Sequence, residues 1–374
     1  MTVETTIETT EGTPLLKVTD LSVFLPKPDG GEVQVVDQVS FTVDHRQMVG
    51  MIGESGSGKS MTALGLLGLL PPGARTEGRV RLDGRDITAL GRRERSRLRG
   101  AEIAMIFQEP MTALDPVFTI GKQISEVLRT HKRRSKRAAR REVIEILDAV
   151  GIPAPARRFN EYPHQLSGGM RQRAMIAMAL VCEARLLVAD EPTTAVDTTI
   201  QAQILDLLRR LSIERGMSLL FITHDIGVVA ELCSELVVMY AGQVVENGTT
   251  EQVLLAPAHP YTSGLIWAIP RIELRNERLQ GIPGRLPAPD RLPTGCRFST
   301  RCAFVEPVCR ETQPVLRPAI DRQMVRCHRF GEIDLAGVLS PAPHDPAEAT
   351  TLPEAASPVV VAPQPLTGSM GEQP

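Results

Sequence analysis

Two short stretches carry residue types able to handle phosphate. Gly53-Glu54-Ser55-Gly56-Ser57-Gly58-Lys59-Ser60 fits the pattern G-x-x-x-x-G-K-[ST] of a phosphate-binding loop. Its glycines let the backbone curl until successive N–H groups converge on phosphate oxygens. The apolar run Met61 to Leu70 follows and predicts a helix, whose N-terminus adds partial positive charge at the same place. Lys59 then reaches the β- and γ-phosphates, and the Ser60 hydroxyl ligates Mg²⁺. The second stretch is Leu186-Leu187-Val188-Ala189-Asp190-Glu191. An apolar strand ending in Asp190 sets a carboxylate where it can hold Mg²⁺ through water. Glu191 follows as a base able to activate an attacking water. Alone, an apolar strand followed by Asp-Glu is a common strand end; beside a phosphate loop it reads as the second half of a nucleoside triphosphate site.

These residues need a frame. Met48 to Ile52 is an apolar run that predicts a buried strand leading into the phosphate loop. Ile103 to Phe107 predicts another, ending at Gln108, and Leu219 to Thr223 a third, ending at His224. Helical patterns lie between them, at about 92–99, 119–150, 166–184 and 200–215. Strands alternating with helices predict a mainly parallel α/β sheet. Shorter pairings predict antiparallel structure beside it. Leu15–Val23 and Val33–Val43 flank the Pro26 to Gly31 loop, and Gly78–Leu82 and Asp86–Ile87 flank Asp83-Gly84. Leu236–Tyr240 and Gln243–Glu246 form a closing hairpin around Ala241-Gly242.

The 374 residues suffice for one large domain and a smaller one, and 42% hydrophobic residues can fill a sizeable core. A net charge of −2 and 3% aromatic residues argue against nucleic acid as a partner. No apolar run is long enough to span a membrane, and the Thr/Glu-rich start lacks the basic and apolar regions of a signal peptide. A cytosolic location is the expectation, and there the six cysteines read as thiols or metal ligands. Lys132 to Arg141 holds seven basic residues; it reads as a solvated helix face or as a neighbour of anionic lipid headgroups.

Leu166-Ser167-Gly168-Gly169-Met170-Arg171-Gln172-Arg173 resembles the signature of ATP-binding-cassette (ABC) ATPases, and its Met170 followed by Arg171-Gln172-Arg173 resembles the importer branch. Gln108 matches the Q-loop glutamine, Ala195-Val196-Asp197 the D-loop and His224 the switch histidine, in the family's order across about residues 15 to 250. The resemblance implies a P-loop NTPase cassette: a mainly parallel core, a small antiparallel β-subdomain and an α-helical subdomain. It implies that Gly53, Ser55, Gly56, Ser57, Gly58, Lys59, Ser60 and Met61 cradle ATP, with Ser60, Gln108 and Asp190 near Mg²⁺. It further implies Glu191 as base, with His224 holding the γ-phosphate and attacking water. Ser167, Gly168 and Gly169 would act on the ATP of a second, head-to-tail subunit. The family usually places an aromatic against adenine just after the first strand; Leu25 stands there, with Phe24 one residue early.

Further along, His259-Pro260-Tyr261-Thr262, Gly281-Ile282-Pro283-Gly284 and Gly295-Cys296-Arg297-Phe298-x-x-Arg301-Cys302 resemble the C-terminal extension of oligopeptide, dipeptide and nickel importer ATPases. That implies an ATPase at the cytoplasmic face of the membrane. Its partners would be a related second ATPase, two permeases and an extracytoplasmic binding protein, with peptides as cargo; nickel or another small solute is the alternative cargo, and a soluble non-transport ABC ATPase the remote alternative. Four thiols spaced C-x5-C-x6-C-x17-C (Cys296, Cys302, Cys309 and Cys327) suit a [4Fe–4S] cluster better than the tighter pairs of zinc sites. Zinc and free thiols remain alternatives. Cys182 and Cys233 fall within helical patterns and read as small core residues. The expected organisation is a disordered start (1–14), the cassette (15–255), the Cys-rich extension (256–335) and a disordered Pro/Ala-rich tail (336–374).

Overall fold

The computed structural model of the chain describes residues 12–108, 114–193, 198–268 and 281–335. The expected D-loop, the 1–11 start and the tail from 336 lie outside them.

Among the described residues, strands alternate with helices and build two sheets. The larger is built from β3 (Met48–Ile52), β6 (Ile103–Ile106), β7 (Leu186–Asp190), β8 (Ser218–Thr223), β9 (Glu235–Tyr240), β10 (Gln243–Thr249), β11 (Arg317–Pro318) and β12 (Met324–Val325). Its order is β11-β12-β10-β9-β3-β8-β7-β6. The central strands β9, β3, β8, β7 and β6 pair in parallel. Their faces are covered by helices, so β7 and β8 are buried at every residue and read as continuous apolar runs. Each fully buried Leu, Ile or Val in such a strand stabilises by roughly 1.5–3 kcal/mol. The smaller sheet, β2-β1-β4-β5, is antiparallel, from β1 (Leu16–Pro26), β2 (Glu32–Val43), β4 (Arg75–Leu82) and β5 (Arg85–Asp86).

Three helices form a separate layer: Ile120–Lys132, Lys136–Ala149 and Gly168–Leu180. The first two share one buried face, with Ile124 and Leu128 on one and Val143, Ile146 and Leu147 on the other. The single helical run expected over 119–150 is broken in two. Arg133 takes a left-handed φ of 51°, and the Ser135 hydroxyl accepts from the Ala138 N–H to start the second helix. Within the basic run, Lys132, Arg134 and Arg141 pair with Glu183, Glu142 and Glu145. Arg140 lies over the Phe159 ring.

The closing hairpin is not a separate flap. Its first strand, β9, lies parallel to β3, so the hairpin extends the main sheet. Beyond it, β12 (Met324–Val325) pairs with β10, and β11 (Arg317–Pro318) pairs with β12. The C-terminal region therefore continues the cassette's sheet. Tyr240 of β9, Tyr261 of the helix Pro260–Trp267 and Phe298 pack edge to face, with ring centroids 4.6 to 5.5 Å apart. Cys182 and Cys233 are buried as expected, but just past helix ends rather than inside helices.

Candidate functional site

All the expected hydrolytic residues sit at the carboxyl ends of the parallel strands, where open α/β sheets bind ligands. β3 delivers the phosphate loop, β7 delivers Asp190 and Glu191, β8 precedes His224, and β6 precedes Gln108. The helix Lys59–Leu67 begins at the loop's end, with Gly58 as its N-cap at φ 103°. Gly53 has no room for a side chain: a Cβ there would stand 2.2 Å from the Met239 carbonyl oxygen. Sheet and loop are thus in backbone contact, which is why glycine is needed.

Lys59 is buried, and its Nζ donates to the carbonyls of Gly53 at 2.7 Å and Glu54 at 3.0 Å. Burial holds it below the usual lysine range, against the opposing pull of Glu191, Asp190 and Glu54. Ser60 Oγ donates to Asp190 Oδ1 at 3.0 Å, so the two expected Mg²⁺ residues face each other. Burial lifts Asp190 above the usual carboxylate range; the Ser60 hydrogen bond and Lys59 pull the other way. A divalent cation there would favour the charged carboxylate.

Glu191 is bracketed. Gln108 Nε2 donates to its Oε2 at 3.0 Å, and His224 Nδ1 lies 3.4 Å from its Oε1. Its backbone takes φ 45°, a region costly for a residue with a Cβ, and its N–H donates to the Ile222 carbonyl at 2.9 Å. Four strand ends thus bring a carboxylate, an imidazole, an amide, a lysine and a Ser–Asp pair together.

Ser167, Gly168 and Gly169 belong to a different element. Ser167 caps the helix Gly168–Leu180, its Oγ accepting from the Met170 N–H at 3.3 Å. Ser167 and Gly168 are exposed, so this helix N-terminus faces outward. Phe24, in a strand with three register irregularities, has the Arg75 guanidinium 3.8 Å over its ring.

The site includes residues that its motifs did not reveal. Buried Gln172, on the signature helix, donates through Nε2 to the carbonyl of Pro192, next to Glu191. Glu54 inside the loop is held by Tyr261 and Arg301. Neither spacing nor residue type marks these contacts; only the fold does.

The four C-terminal cysteines line one small apolar cavity of about 20 Å³ with Phe298, Phe304 and His328. The Cys296 N–H donates to the Cys309 carbonyl at 2.8 Å, tying two of them together. Burial pushes the Cys296 thiol up to about 11 and the Cys302 thiol up to about 12. The ligand chemistry fits a thiolate-bound centre, yet no group of three or more His, Cys, Asp or Glu among the described residues is arranged to hold a metal ion. Neither the expected cluster nor a zinc ion follows from this geometry. His328 Nε2 lies 2.8 Å from the Thr312 carbonyl oxygen.

A family described as ABC transporter matches residues 36–194, and one described as oligopeptide/dipeptide transporter, C-terminal region, matches residues 245–309. A protein of Brucella abortus, named for peptide import as an ATP-binding protein, is 50% identical over 304 residues, 81% of this chain and 91% of that one. The dipeptide transport ATP-binding protein DppD of Escherichia coli (strain K12) is 45% identical over 315 residues, 84% of this chain and 96% of that one. Among solved structures, a dimeric ATP-binding cassette in a post-hydrolysis state with ADP and phosphate has a TM-score of 0.57 at 27% identity, covering 63% of this chain and 98% of that chain.

Proposed function

The chain belongs to the ATP-binding cassettes of ABC transporters that carry the oligopeptide/dipeptide C-terminal region, and from that premise we propose that it powers the uptake of peptides across the cytoplasmic membrane. It binds ATP with Mg²⁺ and hydrolyses it. The observation that carries the hydrolytic reading is Glu191 at the end of β7, within hydrogen-bonding reach of both Gln108 and His224 and beside the Ser60–Asp190 pair. In this reading Glu191 takes the proton of the attacking water. His224 and Gln108 orient that water and the γ-phosphate. Lys59 leaves the Gly53 and Glu54 carbonyls for the phosphates, and Ser60, Gln108 and Asp190 hold Mg²⁺.

The finer assignments are also proposals. Residues 15–255 act as the cassette and 256–335 as the peptide-transporter extension. Ser167, Gly168 and Gly169 cap the γ-phosphate of a second ATPase subunit in a head-to-tail pair; their outward-facing helix N-terminus supports this. A related but distinct chain is the proposed second subunit. Permeases dock on the apolar groove of about 290 Å³ lined by Met105, Phe107, Val127, Met175 and Met178. That groove lies beside Gln108, where docking and nucleotide state can be sensed together. Among the described residues no helix is long and apolar enough to cross a membrane, so contact with permeases would hold the chain at the cytoplasmic face. Cys296, Cys302, Cys309 and Cys327 would hold a [4Fe–4S] cluster that cross-links the extension; the four-thiol ligand chemistry supports it, whereas the loops around their cavity of about 20 Å³ would have to open to admit it. Nickel in place of peptide is the alternative cargo of the same family.

The test is reconstitution with permeases, partner ATPase and binding protein in vesicles. Peptide-loaded binding protein should stimulate ATP hydrolysis, and Ser167→Arg should remove that stimulation. Stimulation by Ni²⁺ and not by peptide would reverse the cargo assignment.

A further inference from the structure

The phosphate loop is held from outside by two side chains that follow Glu54 by 207 and 247 residues. The Glu54 N–H donates to Tyr261 Oη at 2.8 Å, and Arg301 Nη1 donates to Glu54 Oε2 at 2.9 Å. The Arg301 side chain is 4% exposed and that of Glu54 28%. Arg301 is itself fixed. Its Nε donates to the Pro283 carbonyl at 2.7 Å and its Nη2 to the Ile282 carbonyl at 3.3 Å. Its guanidinium also lies 5.8 Å from the Tyr240 ring centroid. A second arm reaches the far end of the loop. Buried Arg297 binds Asp37 and the Ala241 carbonyl, the Gly242 N–H donates to the Ser57 carbonyl at 2.8 Å, and Asp37 N–H donates to the Gly242 carbonyl at 2.8 Å. Both arginines lie on the segment between Cys296 and Cys302.

We propose that Arg301 and Tyr261 are positioning residues for nucleotide binding, acting through Glu54. This rests on the reading of residues 53–60 as the ATP site. The Gly53–Glu54 peptide links the two contacts: its N–H, on Glu54, is held by Tyr261, and its carbonyl, on Gly53, accepts from Lys59 Nζ. Fixing that peptide presets the curl of the loop, so less ordering is left for the moment of binding. Charge supplies the second part. Glu54 places a carboxylate beside a site meant for a polyphosphate, and Arg301 neutralises it. Removing Arg301 leaves that carboxylate without its counter-charge beside the polyphosphate.

The experiment titrates the full chain with a fluorescent Mg·ATP analogue and measures melting temperature alongside. Arg301→Gln should weaken binding by about tenfold and Tyr261→Phe, which keeps the ring, by about threefold, magnitudes typical of coupled buried contacts. Glu54→Gln added to Arg301→Gln should restore affinity to within about threefold of wild type, because the repelling carboxylate is gone. In the assembled transporter, KM for ATP should rise while kcat at saturation changes less. Unchanged affinity in Arg301→Gln and Tyr261→Phe would overturn the proposal. So would weakened binding that tracks a fall in melting temperature and is not rescued by the double variant. A wild-type chain that fails to bind the analogue would instead refute the ATP site beneath it.

Discussion

Residues 53–60 keep their shape with backbone turns and their own lysine; residues 281–335 keep theirs with arginines. Much of the bonding inside the phosphate loop is between neighbours in sequence, and Lys59 satisfies carbonyls five and six residues back. The extension has little regular structure to pair its carbonyls. Guanidinium groups do it instead: Arg301 binds carbonyls of 282 and 283, Arg317 those of 327, 328 and 330, and Arg326 those of 244 and 314. Buried carbonyls need partners, and a planar fork with five donors can serve more of them at once than the three donors of a lysine. The loop is therefore locally encoded, whereas the extension is held by contacts that only the completed fold supplies. Because Arg301 reaches the loop directly, and Arg297 reaches it through Asp37 and the Ala241-Gly242 turn, the two regions share stability.

That contrast can be sharpened at the cysteines. Anaerobically purified protein should be brown, with broad absorption near about 400 nm and close to about four irons per chain. Cys302→Ser should bleach it and open residues 281–330 to protease. Since Arg301 precedes Cys302, ATP affinity should also fall, by less than about tenfold, while binding itself survives. Colourless protein with stoichiometric zinc would favour the smaller centre. Metal-free protein with a protease-resistant extension would rule out both.

A smaller effect belongs to the seam between cassette and extension. Glu246 is buried, accepts the N–H groups of Ala258 and His259 and the Gln323 amide, and is pushed by burial from 4.5 up to about 7. A folded-state value above the unfolded one means that its contribution to stability is complete below about pH 4.5 and is lost as pH rises through about 7. His259, pushed down to about 3, stays neutral over that range, and Arg326 stays charged. Relative to Glu246→Gln, the wild type should lose about 2 kcal/mol between pH 5.5 and 8. Parallel stability curves for the two proteins would place the titration elsewhere.

How much was legible in the sequence follows the same division. The strand–loop–helix at 48–70 and the apolar runs ahead of Gln108, Asp190-Glu191 and His224 are local patterns, and strands and a helix form there. The break at Arg133 is carried by one left-handed residue in an otherwise helical run, which periodicity does not register. The pairing of β10 with β12 joins short strands far apart in the chain, with no alternating pattern to announce it. Glu54 occupies an unconstrained position of its motif, and its partners lie beyond Leu255, so neither composition nor spacing could single it out.

The central claim is that Glu191 is the base of a composite ATP site. Glu191→Gln in the assembled transporter tests it most directly, by measuring hydrolysis and nucleotide occupancy in one preparation. The variant should keep ATP bound and remain a closed ATPase pair, while turnover falls by roughly 10²-fold or more, as for a lost general base. Turnover near the wild-type rate would contradict the account.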